Sequence, residues 1–384
     1  ALPDGPVEVA GWVDTVRDQK KVQFVILRDE SGAVQLVNPA VRELDAEAPD
    51  SAERLALTET ISALNAGTFI RVTGELKADE RVKLGGLEIK ISGLTVVTEA
   101  QPEPPIAEDS SVDKRMDWRF LDLRRPDANL IFRIQTTFEH ALRCWWVDND
   151  FIELHTPKLM ASASESRAEL FEMDYFDTKA YLAQSPQFFK QMAQPAGFGA
   201  IFEIGPAFRA DPSFTSRHAT EFTSVDAEMS WVESHEDVMA MHEAVIVAGL
   251  TAVKEKHGDA IAAAYGVELE VPTLPFPRIP LATAHEILAA RSYTVPRADG
   301  DLDPEGERQL SAYVKEEFGH DFVFVTDYFT NIRPFYHMRH EGNGELTNSY
   351  DLIYNGTEIS TGAQREHRVD VLIEQAREKG LDPE

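Results

Sequence analysis

The run Phe202-Glu-Ile-Gly-Pro-Ala-Phe-Arg209-Ala-Asp211-Pro-Ser-Phe-Thr-Ser-Arg217-His218-Ala-Thr-Glu221-Phe222-Thr-Ser-Val-Asp226-Ala-Glu228 constrains this chain more than any other stretch. Apolar and polar residues alternate on either side of a charged centre, the pattern of two antiparallel strands joined by a loop. Such a hairpin presents two Arg, a His and several carboxylates together. Forked cations beside hydrogen-bond acceptors suit a nucleoside triphosphate.

Two further segments carry the same kind of chemistry. They are Ala183-Gln-Ser-Pro-Gln187-Phe-Phe-Lys190-Gln191 and Asp351-Leu-Ile-Tyr-Asn-Gly-Thr-Glu358-Ile-Ser-Thr361-Gly-Ala-Gln-Arg365-Glu-His367-Arg368. In this order and spacing the three resemble class II aminoacyl-tRNA synthetases, and within them the archaeal-type aspartyl enzymes of subgroup b. The Phe202–Glu228 run is similar to motif 2 of that class, with the Arg217 to Phe222 continuation of the aspartyl, asparaginyl and lysyl subgroup. The resemblance covers essentially the whole chain.

The remaining sequence fits an α+β protein of two domains, as expected for 384 residues. Residues 6–14, 21–28, 33–38, 68–76 and 87–98 read as short strands, with a helix from Ser51 to Asn65 after the third. That order is an OB-fold β-barrel, placed at residues 1–100. A Pro- and acid-rich hinge follows at 101–125. An antiparallel-sheet catalytic domain flanked by helices is expected over 126–384. It opens with a long helix, Asp127 to Asp148, then a strand from Phe151 to Pro157, similar to motif 1, which builds the homodimer interface of the family. Residues 232–265 read as helix, 271–290 as a proline-rich loop passage and 321–356 as strands.

Composition sets limits. The net charge of -29 is that of a solvated acidic surface, with acids crowded into 43–59 and 298–308, while Arg17, Lys20, Lys21 and Arg28 gather near the start. No apolar run approaches the ~18 residues that span a bilayer, and no basic-plus-apolar leader is present, so no membrane partner and a cytoplasmic location are expected. One cysteine, Cys144, excludes an intramolecular disulfide framework, and its helical setting beside Trp145 and Trp146 predicts an inert core thiol.

The resemblance implies an aspartate-tRNA ligase, an enzyme that joins L-aspartate to the α-phosphate of ATP and passes it to the 3' end of tRNA. Arg209 would hold the α-phosphate as the catalytic cation, Arg217 or His218 would meet the terminal phosphates, Phe222 would stack on adenine, and Asp211, Glu221 and Glu358 would complete the ATP site. Glu358 and Thr361 would hold Mg²⁺; three positions apart on a strand they face opposite ways, so a bend near Gly362 is expected. Lys190 and Arg365, with Gln187 nearby, would form a cationic pocket for the aspartate side chain, with Asp226 for its α-ammonium and Glu165 as the gate of a closing loop. Positioning and charge neutralisation carry this chemistry, with no protein nucleophile.

In the barrel, Phe24 is expected to stack on a base and Gln35 to read one, with Arg17 and Arg28 near phosphate or base; Phe24 as plain barrel core is an equal alternative. Lys83 stands where relatives charging both the aspartate and asparagine tRNAs tend to have Pro, which leans toward the aspartate tRNA alone; Asp14, at the second such position, is silent. Departures from the family pattern are Asp211 for Glu, Thr361 for the more usual Ser, and Ser166 and Arg167 for two glycines of the closing loop. The third class II motif, carrying an Arg for the γ-phosphate, is absent up to Glu384 and is expected beyond it. Asparaginyl-tRNA synthetase and an inactive synthetase-like RNA-binding paralogue are the alternatives; Lys190 weighs against the first.

Overall fold

A computed structural model describes residues 4–45, 47–107, 109–162, 170–210, 219–297 and 300–382. The chain divides into two compact units, Ala1–Arg125 and Pro126–Glu384.

In the first unit, strands β1 (Gly5–Asp18), β2 (Val22–Arg28), β3 (Ala33–Pro39), β4 (Phe69–Ala78) and β5 (Leu87–Thr98) close a barrel in the order β1-β2-β3-β5-β4. Alternation sends Val13, Val25, Leu27, Leu36, Ile70, Val72 and Ile89 inward to one core. Helix α1 (Ser51–Ser62) adds Ile61 to that core. It is tied down by polar groups as well. Buried Gln23 donates to Thr58 O at 3.0 Å and Ser62 Oγ at 2.9 Å, and accepts from Asn38 at 2.9 Å. All these groups are satisfied, so their burial fixes the helix without leaving an orphaned dipole. Two short helices, α2 (Val112–Asp117) and α3 (Arg119–Asp122), end the unit.

The second unit opens on α4 (Pro126–Asp148), followed by short strands β6 (Ile152–Glu153), β7 (Leu159–Met160), β8 (Glu172–Tyr175) and β9 (Thr178–Leu182) and helix α5 (Gln187–Ala193). Strands β10 (Ala200–Phe208) and β11 (Glu221–Met229) form the expected antiparallel hairpin, with β6 parallel to β10 at its other edge. The strand expected over Phe151 to Pro157 is only two residues long. Beyond it Thr156 bonds to a side chain instead: its N and Oγ1 donate to Glu203 at 3.1 and 2.7 Å, beside Lys158 Nζ at 2.8 Å.

Helix α6 (His235–Tyr265) starts on a capping box, Ser234 with Asp237, and ends at Gly266 with φ 67°. It crosses α4 closely: a Cβ on Gly249 would stand 2.5 Å from the Phe138 ring. A second sheet contains β12 (Arg278–Pro280), β13 (Phe322–Thr326), β16 (Ser349–Tyr354) and β17 (Thr357–Ala363), after helices α7 (Leu281–Ala290) and α8 (Pro304–Phe318); β14 (Arg339–His340) and β15 (Asn343–Thr347) pair separately. On one face of the second sheet Phe322, Phe324, Tyr350 and Leu352 pack with Met239 and Ile246 of α6. On the other, Val323, Val325 and Ile353 pack with Leu288 of α7 and Leu310 of α8. Helix α9 (Val369–Glu378) closes the order.

Two expectations fail here. The passage 271–290 contains α7, because Pro280 precedes the helix, where a missing N–H costs nothing. Cys144 is exposed on α4 with its Sγ 3.6 Å from His140 Nε2, so it is not a core thiol; Trp146, two residues on, takes the buried position.

Candidate active site

The two edge strands β11 and β17 flank a cleft of about 1640 Å3, lined by Gln187, Lys190, Arg209, Asp226, Thr361 and Arg365 among others. Six of the expected residues from four separate segments therefore meet in one place. Glu165, Asp211, Arg217 and His218 lie outside the described residues.

Lys190 points from α5 with only 8% of its surface exposed, and its Nζ lies 3.1 Å from Asp226 Oδ1 and 3.5 Å from Glu228 Oε2. Arg365 Nε donates to the other oxygen, Glu228 Oε1, at 2.8 Å, and its guanidinium lies over the Tyr336 ring at 5.1 Å. The two cations are thus bridged by one carboxylate. The pocket is not purely cationic as expected: Asp226 and Glu228 balance Lys190 and Arg365, and Asp226 is itself held by Lys190 and by the Ser224 hydroxyl. Gln187 contributes a buried Nε2 with no hydrogen-bond partner among the described residues. Glu228 was overlooked as a site residue although it stands inside the hairpin run; its position two residues after Asp226, on the same strand face, was the available signal.

Arg209 follows β10 and is exposed, with its guanidinium carbon 5.5 Å from the Phe222 ring centroid. Phe222 pairs with Ala207 across the hairpin and Glu221 with Phe208, which sets both at the mouth of the charged loop. A flat ring under a cation is an arrangement fit for an aromatic base beside phosphate.

The expected bend near Gly362 is not what brings Glu358 and Thr361 together. Across the β16–β17 pair, Ile353 faces Glu358, Leu352 faces Ser360 and Asp351 faces Thr361, which leaves Ile359 as an extra residue on β17. This β-bulge resets the alternation. Glu358 and Thr361 therefore share the face of their partners Ile353 and Asp351. Gly362 has a different duty: a Cβ there would fall 2.3 Å from the Tyr350 ring.

Asp351 is buried, with Arg333 at 2.7 Å, and the Arg333 guanidinium lies 3.6 Å from the Tyr328 ring centroid. Glu358 is exposed on β17. Protein packed around its carboxyl, then the charges of Asp351, Glu307 and Asp301, push it up to about 7 against the pull of Arg333. A carboxyl crowded by like charges, with a second carboxylate and a hydroxyl on the same sheet face, is a donor set that fits a hard divalent cation. Among the described residues no group of three or more His, Cys, Asp or Glu could hold a metal alone.

On the barrel, Gln23, Val25 and Leu27 face inward, so Phe24 and Arg28 stand on the outer face. Arg17 lies across from Phe24, its guanidinium carbon 5.7 Å from the ring centroid. It reaches Gln35 Oε1 at 3.5 Å, and Gln35 in turn reaches Glu88 at 3.4 Å. Arg28 Nε meets Asp14 at 3.4 Å. Lys83 is exposed in the β4–β5 turn. Phe24 is no part of the barrel core, which removes that alternative.

A closed five-strand barrel is followed by a strand hairpin and a second sheet that share a cleft lined by cations and carboxylates, an arrangement fit for the two-domain architecture of a synthetase. Residues 7–97 match the family described as OB-fold nucleic acid binding domain, and residues 111–384 match tRNA synthetases class II (D, K and N), the family to which this chain belongs. It is similar to the Aspartate--tRNA(Asp/Asn) ligase of Aeropyrum pernix, at 40% identity over 100% of this chain and 85% of the relative. The Aspartate--tRNA(Asp) ligase of Thermococcus kodakarensis is 39% identical over 98% and 84%. Among solved structures, asparaginyl-tRNA synthetase from Pyrococcus horikoshii complexed with asparaginyl-adenylate has a TM-score of 0.85 at 31% identity, over 100% of this chain and 85% of that one. Among the described residues no helix is long and apolar enough to cross a membrane.

Proposed function

We propose that this protein is an aspartate-tRNA ligase that activates L-aspartate with ATP and transfers it to tRNA. The observation that carries the choice of amino acid is the pair Lys190 and Arg365 around Glu228. A substrate carboxylate entering between them gains two cations already oriented, and the α-ammonium finds Asp226. Asparagine brings no charge to this pair, so its binding leaves partly buried cations without the added anion. That argues against an asparaginyl enzyme despite the fold it shares.

Arg209 holds the α-phosphate and neutralises charge as an aspartate carboxylate oxygen attacks the α-phosphorus, the bond to the β-phosphate breaks and pyrophosphate leaves. Phe222 receives the adenine ring. Glu358, Thr361 and Asp351 would hold Mg²⁺, which would supply charge neutralisation at the phosphates. The protein's own contribution is alignment of two anionic reactants that repel each other in water.

The outer barrel face with Arg17, Phe24, Arg28 and Gln35 binds the anticodon. Relatives of nearly equal similarity carry both printed scopes, so the choice rests on Lys83, which favours the aspartate tRNA alone. The homodimer and the cytoplasmic location belong to the same reading.

ATP–pyrophosphate exchange tests the reaction. Exchange driven by aspartate and not by asparagine is expected from the full-length protein. Equal exchange with both overturns the assignment.

A further inference from the structure

Beside the Arg365–Glu228 ion pair the two sheets are joined by an amide. Gln364, the residue before Arg365, is buried, and its side chain is engaged at both ends. Nε2 donates to Glu233 O at 3.1 Å and to Val232 O at 3.4 Å, while Oε1 accepts from Asn348 Nδ2 at 2.7 Å. A carboxamide offers two N–H donors and a carbonyl acceptor, so both of its ends are satisfied here. The carbonyls it meets belong to the segment that leaves β11 and enters α6. That segment is itself fixed, because Glu233 N donates to Asp237 Oδ2 of the α6 capping box at 2.7 Å.

The main chain of Gln364 ties down a third segment. Its N donates to Asn348 O at 2.8 Å, its O accepts from Met338 N at 3.0 Å, and Asn348 N donates to Met338 O at 2.9 Å, which closes a ring of Met338, Asn348 and Gln364. One step along, His337 pairs with Arg365 in an antiparallel bridge. Tyr336, whose ring faces the Arg365 guanidinium, is thereby carried on the same frame. On the other side, Glu228 lies a few residues before Val232 on the chain that receives the Gln364 amide. The amide and the ion pair therefore span one gap side by side, the first between backbones and the second between side-chain tips.

We propose that Gln364 is a positioning residue for aspartate: its amide, oriented by Asn348, sets the spacing of β11 and β17 at this end of the cleft and so places the Arg365 guanidinium relative to Glu228 and Lys190. This rests on the ligase reading above. A carboxylate gripped by two cations needs their separation held closely, and a misplacement of about 1 Å can cost on the order of 10²-fold. The residues assigned to ATP stand elsewhere. Phe222 is about 20 Å from Glu228 along β11 at the usual strand rise, and Arg209 lies beside it, so a shift at Gln364 reaches the aspartate pocket and spares the nucleotide.

The test is pyrophosphate exchange by the full-length protein, titrated separately with aspartate and with ATP, for the parent, Q364M, Q364E and N348S, with a thermal melt of each. Q364M keeps the length of the side chain without its hydrogen bonds, and Q364E turns a carboxylate toward two carbonyls. Both should raise KM for aspartate about tenfold and N348S about threefold, while KM for ATP stays within about twofold. Q364M combined with E228Q should lose less than the product of the two single losses, since both act through the placement of Arg365. A parental KM for aspartate in folded Q364M overturns the proposal and leaves the ligase reading intact. So does an equal rise of both KM values, or a double variant whose losses multiply, because either assigns Gln364 to general packing. If Q364M does not fold, N348S decides: Asn348 is partly exposed and its loss removes the bond to Oε1 alone, so a parental KM for aspartate there also overturns the proposal. A parent protein with no aspartate-driven exchange overturns both readings.

Discussion

Arg365 is held by Glu228 across the gap between two sheets, with Nε 2.8 Å from Oε1. The other oxygen of the same carboxylate lies 3.5 Å from Lys190, so one residue of β11 sets the separation of both cations. Replacing Glu228 with Gln keeps the shape but removes the charge that balances them. E228Q should lower kcat/KM for aspartate by about 10- to 100-fold, mainly through KM, since the cations lose their common partner rather than their charge. Pyrophosphate exchange kinetics measure this, and an unchanged KM would show that the bridge is idle.

Lys190→Met and Arg365→Leu act on the cations themselves. Each should cost aspartate activation on the order of 10²- to 10³-fold, because a carboxylate is then desolvated without its counter-charge. Activity with asparagine should not rise to replace it. A variant that exchanges asparagine faster than the parent exchanges aspartate would contradict this account of selection.

Glu358, a cation ligand in the proposed site, links pH to stability. Its carboxyl is raised to about 7 in the fold, first by the protein packed around the carboxyl and then by Asp351. A raised acid binds its proton more tightly when folded than when unfolded, so the associated stability is present below about 4.5 and is lost as pH climbs through 7. E358Q should therefore melt higher than the parent at pH 8, with the gap closing toward pH 4.5. Mg²⁺ competes with that proton, so stabilisation of the parent by Mg²⁺ should grow between pH 6 and 8 and be weak in E358Q. A melting difference that is flat with pH would remove Glu358 from the titration.

Gly362 should tolerate no side chain. G362A forces a methyl group against the Tyr350 ring, which is buried between Phe324 and α6. Overpacking of this kind costs about 1–3 kcal/mol, visible as a lower denaturant midpoint. A parental midpoint would mean that β17 shifts freely.

Much of this was legible in the sequence for identifiable reasons. The barrel is short strands with strict alternation, and the hairpin announces itself by polarity on both arms. Helices α7 and α8 were not read, since Pro280 and Pro304 look like breakers until they are seen to sit at helix starts, and the acids of 298–308 look like surface. The bulge at Ile359 has no signature in one sequence, because an extra strand residue looks like any other. Glu228 and Asp351 were inside the informative segments, but their importance depends on what lies across the gap, which spacing along the chain does not encode.

The extra residue at Ile359 also governs how the chain can be compared with others. Deleting it would leave Glu358 opposite Ile353 and Thr361 opposite Asp351, now two positions apart, so plain alternation would keep both on one face. The separation of three is therefore a count that only the bulge makes compatible with a shared face. A relative with one residue fewer there can present the same pair, so equivalence should be judged by the partner across β16 rather than by counting along β17.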